Sequence, residues 1–87
     1  MEKYSLFIKP SAVKELEKIN KKDIRRITSR ISGLMENPRP EGCEKLSGEN
    51  KLRLRQGHYR IVYSVDDSNK IVLVVKIGHR REVYRNK

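Results

Sequence analysis

The chain has 87 residues, room for one small domain spanning residues 1–87, and its 37% charged against 36% hydrophobic composition leaves almost no apolar position to spare from a core. Lys and Arg number 21 against 11 Asp and Glu, and a net charge of +10 points to a polyanion: nucleic acid, an anionic membrane or an acidic protein. The single Cys43 excludes an internal disulfide, no cationic-then-apolar leader opens the chain, and no apolar run approaches the roughly 20 residues that span a bilayer, so a soluble cytoplasmic protein is expected.

Lys3 to Ile8 is rich in β-formers and stops before Lys9-Pro10, which predicts a first strand. A short helix follows, with Ser11 as its N-cap or Pro10 in its first turn, Val13 and Leu16 at helical spacing, and Asn20 as its end. The second helix starts near Asp23 and carries Ile24, Ile27, Ile31, Leu34 and Met35 on one stripe. Cations occupy the rest of its cylinder, and Pro38-Arg39-Pro40 stops it. Glu41 to Asn50 reads as a turn-rich connection anchored by Leu46.

Lys51 to Arg55 then alternates strictly, with Lys51, Arg53 and Arg55 on one face of a strand and Leu52 and Leu54 on the other. Gln56-Gly57-His58 makes a turn, and the chain returns as a second strand whose Ile61, Tyr63 and Val65 share one parity and Arg60 the other. With both apolar faces turned the same way, the hairpin brings Arg60 across from the lysine-arginine row, in a cationic face without an acid inside it. Asp66 to Asn69 forms another turn. The unbroken apolar run Ile71 to Val75 suits a central strand covered on both sides, and a short strand around Val83 is expected in the tail. The order is β-α-α-β-β-β, an α+β fold: a small antiparallel-rich sheet with two N-terminal helices packed on one face, the cations lying on the open one.

Each candidate residue has two readings. Lys51, Arg53 and Arg55 form either the solvated face of an amphipathic strand or an anion site; adding Arg60 favours the anion, because four clustered cations repel one another unless something negative visits. The tail adds Arg80 and Arg81. His79 is either a general acid or base or a polar turn residue after Gly78, and Tyr84 either a core aromatic or a platform for a stacked base. Cys43 lacks a histidine partner in a motif and reads as inert. No His, Cys or carboxylate cluster has metal-ligand spacing and no Gly-rich phosphate loop appears, so neither a metal nor a cofactor is expected.

Three blocks, Lys51-Leu52-Arg53-Leu54-Arg55, Gly57-His58-Tyr59-Arg60-Ile61-Val62-Tyr63 and Ile77-Gly78-His79-Arg80-Arg81-Glu82-Val83-Tyr84, resemble the RelE/ParE superfamily of toxin–antitoxin toxins. The likeness covers essentially the whole chain. The superfamily holds ribosome-dependent mRNA endonucleases and also gyrase poisons. For the RelE branch the resemblance implies a metal-free basic constellation that cuts mRNA in the ribosomal A site. It matches Lys51 to a catalytic lysine, Arg60 to the arginine on the scissile phosphate, Arg80 to the arginine of the C-terminal block and Tyr84 to the stacking tyrosine. Arg53 stands where the best-studied branch has a second lysine; arginine stays protonated, so a base role falls to Lys51 or His79. Arg53, Arg55 and Arg81 are left as substrate-binding cations. A cognate antitoxin, in a toxin–antitoxin hetero-oligomer and away from any membrane, is the implied protein partner. The competing readings are a ParE-like gyrase inhibitor that cuts nothing and a nucleic-acid-binding module without catalysis.

Overall fold

Proline and asparagine set where the helices begin. The computed structural model describes residues 3–46 and 51–79. Among them, strand β1 (Ser5–Ile8) leads into helix α1 (Pro10–Glu17), with Pro10 in the first turn and no side-chain cap. Proline suits that position, since its missing N–H would find no partner there. Asn20, expected to close the first helix, instead caps the next one, α2 (Lys21–Gly33). Its Oδ1 accepts from the Asp23 backbone N–H at 2.9 Å, and its Nδ2 donates to the Asp23 carboxylate at 3.0 Å. Two polar side chains three residues apart thereby close the helix end on themselves.

Four further strands follow: β2 (Glu44–Lys45), β3 (Lys51–Gln56), β4 (Tyr59–Asp66) and β5 (Ile71–His79). The described residues form one five-stranded sheet in the order β1-β5-β4-β3-β2, antiparallel except where β1 runs parallel to β5. The expected β-α-α-β-β-β order stands, with β2 added inside what read as a turn-rich connection. Two residues show no period, and β2 is a strand because β3 offers it partners: Glu44 lies opposite Arg53, Lys45 opposite Leu52, and the Leu46 N–H donates to the Lys51 carbonyl at 2.9 Å.

Both helices cover the same sheet face. Ala12, Leu16, Ile27, Ile31 and Leu34 pack with Leu54, Ile61, Tyr63, Val72, Val74 and Ile77 in one core. The sheet members of that set share a face by register, since directly opposed residues point the same way. The Tyr63 hydroxyl donates to the Pro38 carbonyl at 2.7 Å inside the protein, fastening the segment after α2 to the sheet. Burial pushes this phenol up, so it remains a donor.

Strand β5 was expected to be covered on both faces. Its pattern is instead alternating, with Val72 and Val74 buried and Ile71, Leu73 and Val75 half-buried, because helices lie on one side of the sheet. Val74 and Ile77 are both fully buried although three residues apart. An unbroken two-residue period forbids that. A register shift resolves it: Val62 opposes Lys76 while Tyr63 opposes Val74, so Val75 is a bulge residue. The strand also runs on to His79, four residues past the apolar run that ends at Val75. Val83 lies outside the described residues.

Candidate nucleic-acid interface

The hairpin that carries the cations is set by its turn. Gln56 pairs with Tyr59, leaving Gly57 and His58 as the two-residue loop; Gly57 has φ 61°, and His58 keeps a negative φ. Glycine at the first central position is the II′ pattern, whose twist matches that of the flanking strands. The resulting register places Lys51 opposite Ser64, Arg53 opposite Val62 and Arg55 opposite Arg60. Lys51, Arg53, Arg55 and Arg60 therefore share the face away from the helices, as the alternation implied.

Their surroundings differ from the expectation in two respects. First, the cluster contains an acid. Glu44 opposes Arg53, and its Oε1 accepts from Arg53 Nη2 at 2.7 Å and from Nε at 3.3 Å. The Arg53 guanidinium, with Arg55 and Arg60 behind it, holds the Glu44 carboxyl below the usual carboxylate range. The two-residue strand β2 delivers this charge, which no local pattern in the sequence announces.

Second, Arg60 was expected to lie exposed on the open face, burying little. It is 1% exposed, and it is the buried charged side chain among the described residues. Its cross-strand neighbours are Arg55 on one side and Gly78 on the other. Glycine at that register position removes a side chain from beside it. Arg55, by contrast, is exposed and Lys51 and Arg53 half-buried. The four cations thus range from a sunken guanidinium to a solvated one. Between Lys51 and Arg55 the strand advances about 13 Å at some 3.3 Å per residue.

The bulge adds a cation that sequence reading missed. It turns Lys76 to the open face, opposite Val62 and so in one cross-strand row with Glu44 and Arg53. The signal available was Lys76 itself, the first charge after the apolar run. It also fixes His79. Opposite Tyr59 and in step with Ile77, His79 lies on the helix-covered side of the sheet rather than beside Arg60. Its ring meets that of Tyr59 edge-on at 5.6 Å and stacks on that of His58 at 6.0 Å. Arg80, Arg81 and Tyr84 lie outside the described residues. Cys43 is a free thiol, half-buried, and no group of three or more His, Cys, Asp or Glu comes together among the described residues.

A mixed sheet with helices on one face and a guanidinium-rich hairpin on the other defines a small α+β protein with a cationic sheet face. The model of the ParE toxin of type II toxin–antitoxin systems, parDE, matches residues 6–84. The chain is 34% identical over 86 residues to the mRNA interferase toxin RelE of Escherichia coli (strain K12), covering 93% of this chain and 90% of that one. Among solved structures, the archaeal RelE–RelB complex of Pyrococcus horikoshii OT3 superposes with a TM-score of 0.82 at 30% identity, over 90% of this chain and 96% of that one. The intact E. coli RelBE toxin–antitoxin complex gives 0.73 at 32%, over 87% and 95%. The chain belongs to the RelE/ParE toxin superfamily, and it is a RelE-type toxin of a toxin–antitoxin system.

Proposed function

We propose that this toxin is a cytoplasmic endoribonuclease that cuts mRNA in the ribosomal A site without a metal, and that a cognate antitoxin silences it by forming a hetero-oligomer. The observation that carries the reading is the buried Arg60 set among Arg53, Arg55 and Lys51 on one sheet face. A guanidinium held in place by burial keeps its positive charge fixed beneath a phosphate on that face, without first becoming ordered. The 34% identity to a toxin named an mRNA interferase, and the RelE–RelB complexes among the related structures, support the substrate and the partner.

In the proposed reaction the 2′-hydroxyl attacks the adjacent phosphorus and the bond to the 5′-oxygen breaks. Lys51 takes the 2′-hydroxyl proton; Arg53 binds the phosphoryl oxygens, and Arg60 beneath them stabilises the charge that grows there. Arg80 stabilises the charge on the departing 5′-oxygen while water protonates it, and Tyr84 stacks on a base. The products are a 2′,3′-cyclic phosphate and a 5′-hydroxyl. With His79 on the helix side of the sheet, the base role is given to Lys51. Arg55, Lys76 and Arg81 hold the flanking backbone.

Among the described residues such a face has cations to bind a phosphate but no element that reads bases, so positioning is left to the ribosome. Primer extension on a translated message, with the same RNA free of ribosomes as control, tests this. Cleavage confined to the translated message is expected; equal cutting of both overturns the ribosome requirement. The match to a ParE toxin model favours a second reading, a gyrase inhibitor, and loss of supercoiling activity with both RNAs intact would establish it instead.

A further inference from the structure

A cavity of about 360 Å³ opens at the end of the sheet, lined by Arg39, Lys45, Lys51, Leu52, Val65 and Asp67. Its size falls within the about 300–1,000 Å³ of small-ligand sites. Leu52, Val65 and Lys45 belong to the helix-side parity of their strands, whereas Lys51 belongs to the cationic face. Lys51 thus stands where the cationic face turns over the sheet end into the cavity.

The lining sorts by chemistry. Leu52 and Val65 supply an apolar floor. Arg39 is committed to Asp67 by two hydrogen bonds, 3.1 and 2.9 Å, and Asp67 also accepts from the Tyr4 hydroxyl at 2.6 Å. These contacts hold the Asp67 carboxyl down to about 2, so it stays an acceptor. Lys45 brings an ammonium group to the cavity, and Lys51 lines it from the adjoining strand end.

We propose that this cavity is a nucleotide subsite for the RNA strand that continues past the scissile phosphate, an inference that rests on the endoribonuclease reading. The base or ribose lies on Leu52 and Val65, Lys45 holds its phosphate, and Asp67 accepts from an exocyclic amine. A lysine beside an apolar floor fits a phosphate joined to a planar apolar ring. Inorganic phosphate alone, or a run of acidic side chains alone, leaves the floor unused.

The test uses a 2′-O-methyl RNA hexanucleotide, whose blocked nucleophile prevents cleavage, titrated into the full chain by amide NMR and by affinity measurement across a salt series. The amides of Leu52 and Val65 should shift on binding. Lys45→Ala should lower the slope of log affinity against log salt by about 0.7, the value for one phosphate contact on a single strand. Lys45→Arg should restore that slope, and Lys14→Ala, an equal charge removed from α1, should leave it unchanged. Shifts confined to Arg53, Arg55 and Lys76, or an equal loss in Lys14→Ala, overturn the subsite. A poly-glutamate peptide that moves the Leu52 and Val65 amides when the RNA does not assigns the cavity to a protein partner and also overturns it. Cleavage of the translated message by the unmodified chain is read in parallel: its absence removes the endoribonuclease reading, while cleavage without cavity shifts removes the subsite alone.

Discussion

Arg60 has the largest share of its side chain out of water of any charged group described here, so it serves the fold as well as the site. Arg60→Ala removes a buried side chain and leaves its neighbours unfilled, and it should destabilise the protein by roughly 1–3 kcal/mol. Loss of toxicity in that variant would therefore mix two causes. Arg60→Lys separates them, because lysine keeps the charge and much of the volume but not the two-pronged geometry. It should retain most of the stability in urea unfolding while cleavage falls by about 10²–10³. Full cleavage by the lysine variant would remove the fixed guanidinium geometry from the mechanism. Glu44 has the opposite character: exposed, bonded to Arg53, and able to relieve the repulsion that four cations alone would suffer.

The hairpin depends as an element on one backbone angle. At Gly57 an added Cβ would meet no atom within 4 Å, so a substitution there costs backbone strain without any clash. With φ at 61°, Gly57→Ala should lower stability by about 1–2 kcal/mol. Gly57→Asn should lower it less, since asparagine tolerates that region better. Because the turn sets which residues face one another, slippage by one position would send every arginine of β3 to the core face. Thermal melting of the two variants measures the strain. Equal melting of both would mean that φ at this position is not what the loop constrains.

At the scale of the molecule, three distant segments meet at Asp67. Arg39 comes from the stretch between α2 and β2, Tyr4 precedes β1, and Asp67 lies in the β4–β5 turn. Hydrogen bonding first by Arg39 and then by Tyr4 drops the carboxyl from 3.8 to about 2. A folded value below the unfolded one means the contribution is complete above 3.8 and fades as pH falls toward about 2. Asp67→Asn should thus melt lower than the parent at neutral pH, and the two should converge near pH 2. The carboxylate is solvent-exposed, so the gap should be modest and shrink in salt. A constant gap at every pH would show that the loss came from shape rather than charge.

The sequence by itself determined the parts governed by local periodicity. The Ile24–Met35 stripe marked α2, Gly57 marked the hairpin turn, and strict alternation put Lys51, Arg53 and Arg55 on one face with Arg60 across from them. Each of these depends on residues within a few positions of one another, where side-chain spacing dictates the backbone. The tertiary structure decided what depends on neighbours remote in the chain. Glu44 reaches Arg53 through a strand too short to carry a period, and the bulge at Val75 breaks the alternation, sending Lys76 to the cationic face and His79 to the helix side. Burial of Arg60 is of the same kind. Parity gives the face on which a side chain lies, while its depth depends on what other strands place around it, here a glycine at position 78 on the far side of the sheet row.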